Sequence, residues 1–209
     1  MRLERLGLKG PAGIIEAVRD LPDAGSPLRG VAVVAHPHPL YGGTMDNKVV
    51  QTMARAFVAS GFAAVRFNFR GIGGSAGAWD EGRGEVQDML AVVAQAAADG
   101  PLALAGFSFG AFVTSHVLSQ VWGTREVTHV VLAGTAAGRF GVAEVPGPAR
   151  TRTLVVHGES DDVVPLAAVM DWARPQPLPV TVVPGGGHFF HGQLPLLKGL
   201  VARHLQATA

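Results

Sequence analysis

The chain has 209 residues, of which 48% are hydrophobic and 16% charged, with a formal net charge of +1 and no cysteine. That length suits one domain over 1–209, and the apolar share fills a core, which excludes disorder; the near-neutral charge carries no footprint for nucleic acid or an anionic membrane. Without cysteine there are no disulfides, thiolate metal sites or thiol nucleophile, and no apolar run approaches the ~18 residues of a membrane span. The start Met1-Arg-Leu-Glu-Arg-Leu6 is too charged for the apolar region of a signal peptide, so a cytoplasmic protein is expected.

Residues 1–28 alternate loosely (Leu3, Leu6, Leu8, then Ile14, Ile15, Ala17, Val18) and predict a leading antiparallel hairpin. Val31–Ala35 is the first short, wholly apolar run, and such runs read as strands buried on both faces, hence parallel. Asp46–Ser60 places Val49, Val50, Met53, Ala54, Phe57 and Val58 near a 3.6-residue period and predicts a helix. Ala63–Phe69 predicts a strand and Glu85–Ala98 a helix, stopped by Asp99-Gly100-Pro101. Leu102–Gly106 is a strand followed by a helix over Phe109–Val121. His129–Ala133, Thr153–Val156 and Val180–Val183 are the remaining strands, and Leu194–Leu205 is the last helix. Strands alternating with helices imply an α/β protein with a mostly parallel central sheet flanked by helices.

Gly106-Phe-Ser108-Phe-Gly110 matches G-x-S-x-G, and so does Gly73-Gly-Ser75-Ala-Gly77. Context separates them. Ser108 lies directly between a strand and a helix, the setting of a nucleophile elbow, whereas Ser75 leads into a loop. The flanking glycines let strand and helix pass close together. The helix start brings the Phe109 N–H toward a developing oxyanion. Gly71-Ile-Gly73-Gly-Ser-Ala76 grazes the dinucleotide fingerprint but is placed wrongly for it, so no nicotinamide cofactor is expected.

A serine hydroxyl needs a base, and histidine suits that at neutral pH. Of eight histidines, His36, His38, His157, His188 and His191 fall at strand C-terminal ends, where ligand chemistry gathers in parallel sheets. His188 follows a glycine-rich loop that carries it over the sheet edge, and is preferred to His191. The orienting acid belongs between serine and histidine in the chain, and either Asp161 or Asp162 satisfies that.

With these residues in place the chain resembles the α/β-hydrolases, specifically a small group of serine hydrolases similar to dienelactone hydrolase. The resemblance covers nearly the whole chain. It rests on His36-Pro-His-Pro-Leu-Tyr-Gly-Gly-Thr-Met-Asp-Asn-Lys48, Phe67-Asn-Phe-Arg-Gly-Ile-Gly-Gly-Ser75, the elbow at Ser108, His157-Gly-Glu-Ser-Asp161-Asp-Val-Val-Pro165, and Gly187-His188-Phe-Phe. It implies Asp161 as the acid and supports His188 as the base. It also implies a first oxyanion donor in the loop after Ala35; Pro37 and Pro39 lack an N–H, so the amides of His38 and Leu40 are the candidates beside Phe109. The chain departs from dienelactone hydrolases in having no cysteine nucleophile and from haloalkane dehalogenases in having serine at the elbow, so neither activity carries over. Many relatives insert a lid after their sixth strand. Here Gly134–Arg152 is too short for one, which implies an open site.

The resulting expectation is a serine hydrolase of a small-molecule ester or thioester with a short acyl group, using Ser108, His188 and Asp161 and no cofactor. Tyr41 and Phe107 are candidates to line the substrate. Arg70 reads as one half of an internal ion pair. Two alternatives differ in class. One is a metal-dependent hydrolase using His36-x-His38, His188-x-x-His191 and Asp161 or Asp162, disfavoured because Pro37 and Pro39 stiffen the first pair and Ser108 is left without a role. The other is a non-catalytic binding protein on a hydrolase fold.

Overall fold

The computed structural model describes residues 2–207. The strands are β1 (Arg2–Gly10), β2 (Gly13–Leu21), β3 (Gly30–Ala35), β4 (Phe62–Phe67), β5 (Leu102–Phe107), β6 (Val127–Ala133), β7 (Thr153–Gly158) and β8 (Val180–Val183). They form one sheet in the order β1-β2-β4-β3-β5-β6-β7-β8. The β1–β2 hairpin joins β4 antiparallel, and every later pairing is parallel. The helices are α1 (Lys48–Ala59), α2 (Arg83–Ala96), α3 (Phe109–Val121), α4 (Leu166–Ala173) and α5 (Leu194–Ala207).

Alternation along the strands builds a core on each side of the sheet. Ala32, Val34, Ala103, Ala105 and Phe107 point to the side covered by α1 and α5, where Val50, Met53, Phe57, Leu197 and Val201 pack. Val33, Ala35, Leu102 and Leu104 point to the other side, beneath Met89 and Val92 of α2, Val113 and Val117 of α3 and Val169 of α4. The central strands β4 and β5 are buried along their whole length, which is why β5 reads as an unbroken apolar run and β4 as one interrupted only by Arg66.

Asn47 starts α1 by accepting the Val49 N–H at 2.9 Å. The predicted strand Ala63–Phe69 stops at Phe67 because the Phe69 N–H turns to a side chain, His36 Nε2, at 3.0 Å. Arg66 is a buried charge inside an apolar strand. Its Nε lies 2.7 Å from Asp20 on β2 and one Nη 2.8 Å from the Met45 carbonyl, so it ties the leading hairpin to the sheet. Arg70 is ion-paired to Asp88 of α2 through two nitrogens, at 2.9 and 2.8 Å.

The parallel strands end level with one another. Ala35 lies beside Gly106, Phe107 beside Ala133 and Gly158 beside Val183. The loops holding His36, Ser108, Asp161 and His188 therefore emerge along one edge. Between β6 and β7 the chain makes only loop and a short turn of 3₁₀ helix at Gly147–Arg152, with no inserted lid. Among the described residues no helix is long and apolar enough to cross a membrane.

Candidate active site

Ser108 joins β5 to α3 with φ 56 and ψ −117, a conformation that L residues rarely hold. The surrounding glycines make it possible. A Cβ on Gly106 would run into the Gly110 carbonyl, and one on Gly110 would run into the Ala35 carbonyl. The turn thus places Ser108 Oγ above the sheet edge with the start of α3 directly behind it.

His188 arrives on the loop after β8. Its Nε2 is 3.0 Å from Ser108 Oγ and its Nδ1 is 2.7 Å from Asp161 Oδ2. These bonds assign the tautomer: Nδ1–H donates to the carboxylate and Nε2 accepts from the hydroxyl. Asp161 is itself held by the N–H groups of Val163 and Val164, which donate to Oδ1 at 2.9 and 2.8 Å. Burial pushes the Asp161 carboxyl up, but the His188 and Val164 hydrogen bonds and the two nearby imidazoles outweigh it and hold the pKa below the usual value. Asp162, the other acid left open by spacing, is exposed. His191 is also exposed and stacks on Phe189 rather than reaching the serine.

His157, at the end of β7, has no obvious signal in the sequence beyond its place in the loop motif. It is fully buried, its Nε2 donates to the Val164 carbonyl at 2.9 Å, and the same nitrogen is 3.3 Å from Asp161 Oδ2. It closes the far side of the carboxylate.

Among the described residues, no protein partner is seen for the N–H groups of His38, in the loop after β3, and of Phe109, the first residue of α3 and next to Ser108. Leu40 differs from expectation. Its N–H donates to His38 Nδ1 at 3.2 Å, within the turn that begins at His38, so it is not free for an oxyanion. The expected role of Phe107 as a lining residue is also corrected. Its side chain lies on the α1/α5 side of the sheet, fully buried, with its ring 5.0 Å from the His188 ring. Tyr41 does border the site and is 86% exposed. The cavity over Ser108 and His188 has a volume of about 450 Å³ and is walled by His38, Tyr41, Asn47, Arg139 and Phe189 among others.

Ser75, the second G-x-S-x-G serine, is built into the scaffold. Its hydroxyl donates to the Asn68 carbonyl at 2.7 Å and accepts the Glu16 N–H at 2.9 Å. Both ring nitrogens of His36 are engaged as well, Nδ1 with the Pro37 carbonyl at 2.6 Å and Nε2 with the Phe69 N–H. It therefore offers no lone pair to a metal, and no group of three or more ligating side chains is assembled among the described residues.

His36 carries a pH prediction. Burial drives its pKa down to about 4 from 6.5, with the Pro37 carbonyl pulling partly the other way. Below pH 6.5 the unfolded chain binds a proton here that the native protein refuses until about pH 4. The stabilisation is complete above 6.5 and is lost as pH falls toward 4, on the order of 3 kcal/mol. Urea unfolding of the wild type and of His36→Gln across that window measures it. The variant is expected to show a shallower decline, and parallel curves would refute the assignment.

Residues 22–135 match the model of the X-Pro dipeptidyl-peptidase (S15) family. An uncharacterized protein of Rickettsia prowazekii is 32% identical over 175 residues, which is 81% of this chain and 71% of that protein. A crystal structure from Xanthomonas campestris, described as an α/β serine hydrolase without a lid, superposes with a TM-score of 0.87 at 35% identity and covers 99% of this chain and 95% of that one. An α/β serine hydrolase homologue from Coxiella burnetii gives a TM-score of 0.81 at 37% identity, with 97% of each chain covered. The elbow, the level strand ends and the missing lid agree with these likenesses: the chain belongs to the S15 family of α/β-hydrolases and is a serine hydrolase of the lidless kind.

Proposed function

We propose that the protein hydrolyses small carboxylic esters or thioesters through an acyl-enzyme on Ser108. One observation carries the reading: an unbroken hydrogen-bond line from Ser108 Oγ through the His188 imidazole to Asp161, at 3.0 and 2.7 Å. Ser108 Oγ attacks the carbonyl carbon as its proton passes to His188 Nε2. The carbonyl oxygen becomes an oxyanion facing the amides of Phe109 and His38. The intermediate collapses, the bond to the alcohol or thiol breaks, and the leaving group takes the proton from His188. Water then attacks the acyl carbon, gives a proton to His188, and releases the acid as Ser108 regains its hydrogen. Asp161 stays ionised throughout and stabilises the imidazolium.

The short open cavity and the absence of a lid favour a short acyl group over a long chain that needs a covered trough. A dipeptidyl-peptidase role is supported by the family match and opposed by the wall of the site. Such an enzyme must hold a free amino terminus, and among the described residues no aspartate or glutamate lines this cavity.

The test is intact-mass labelling with a fluorophosphonate. The wild type and Ser75→Ala are expected to gain a single adduct and Ser108→Ala none. Folded wild type without an adduct, or an adduct persisting in Ser108→Ala, refutes the proposal.

A further inference from the structure

We infer that Arg139 selects esters bearing a carboxylate. The inference rests on the proposed acylation of Ser108 and adds the class of substrate. Arg139 stands in the wall of the cavity that contains Ser108 and His188, and among the described residues it is the one lysine, arginine, aspartate or glutamate there. Arg66, Arg70, Arg83 and Arg174 are each paired with an acid, whereas Arg139 has no acidic partner among the described residues.

Arg139 is exposed, and its guanidinium is tied to the backbone at one point without being neutralised. Its Nε–H donates to the Val163 carbonyl at 2.8 Å, which leaves both terminal nitrogens unused. The backbone beneath it is a tight turn in which the N–H groups of Arg139 and Phe140 both donate to the Ala136 carbonyl, at 3.3 and 3.1 Å. The next side chain, Phe140, is anchored between Phe109 and Phe112, with ring centroids 5.2 and 5.0 Å away. Val163 in turn donates its N–H to Asp161. The loop that fixes the acid therefore also fixes the cation.

Two terminal nitrogens of a planar fork match a planar carboxylate in a paired contact. A single positive charge with no second cation in the wall complements a singly charged group better than a doubly charged phosphate monoester.

The experiment compares monoethyl glutarate with ethyl pentanoate, an ester of similar length without the charge, in a pH-stat. The quantity read is the ratio of their kcat/KM values in the wild type, Arg139→Gln and Arg139→Lys. The wild type is expected to favour the anionic ester. In Arg139→Gln the ratio falls about tenfold or more, mainly through KM, and Arg139→Lys keeps part of the preference. High salt erodes the wild-type preference. A wild type that favours the neutral ester, or a ratio that Arg139→Gln leaves unmoved, overturns the inference. Calorimetric binding of monoethyl glutarate to Ser108→Ala, with and without Arg139→Gln, reads the same contact where no turnover occurs. Equal binding by the two, or none by Ser108→Ala, also overturns it. Failure of the acyl-enzyme reading is seen separately, as the missing fluorophosphonate adduct.

Discussion

Replacing His188 by alanine is expected to lower kcat for ester hydrolysis by about 10⁵- to 10⁶-fold, the scale typical of losing the base of such a relay. Without the imidazole the Ser108 hydroxyl has no acceptor for its proton, since Nε2 is the group at 3.0 Å and Asp161 reaches only the far nitrogen. A residual rate is expected from the proposed oxyanion amides and from binding. The change removes a buried ring, so thermal unfolding must accompany the kinetics to confirm that the variant is folded. A folded His188→Ala within tenfold of the wild type would remove the histidine from the chemistry. His191 would not rescue it, because it lies exposed beside Phe189.

The second large effect is on stability. Gly106→Ala is expected to destabilise the protein by roughly 3 kcal/mol or more, because the new Cβ meets the Gly110 carbonyl and Thr114 Oγ1, which belong to α3. Backbone cannot yield there without lifting the helix off β5, so the serine turn is disturbed at the same time. Fluorophosphonate labelling should fall with stability. Gly141→Ala is the control, since nothing lies within 4 Å of the position its Cβ would take. Urea midpoints shifted equally by the two substitutions would contradict the packing argument.

Much of this architecture is legible without coordinates. Runs such as Val31–Ala35 and Leu102–Gly106 are apolar at every position because both faces of a central strand are covered, and that is a local signal. The elbow is legible for a similar reason: strand, serine and helix are contiguous in the chain. The choice between Asp161 and Asp162 needed more than their spacing, because adjacent residues differ only in which way the loop turns. The resemblance favoured Asp161, and the structure turns that residue inward onto His188. Of the two amides left open after Ala35, that of Leu40 is taken by a side chain, His38 Nδ1, a contact that spacing does not reveal. The settings of Arg66 and Arg139 are not legible in the sequence. The partners of one and the solitude of the other depend on segments brought together from far along the chain.

The connection between β6 and β7 carries a final consequence. Gly134–Arg152 lends the cavity a wall through Arg139 but no lid, so this segment holds no cover that would assemble the site around the correct ligand. Enzymes with a moving cover can reject a poor substrate by failing to shut, and this protein has no such second decision. Its discrimination must already stand in the static wall before any molecule arrives. No cover shuts water out either, so the acyl group proposed on Ser108 would be open to hydrolysis, and transfer to a bulkier acceptor would start at a disadvantage.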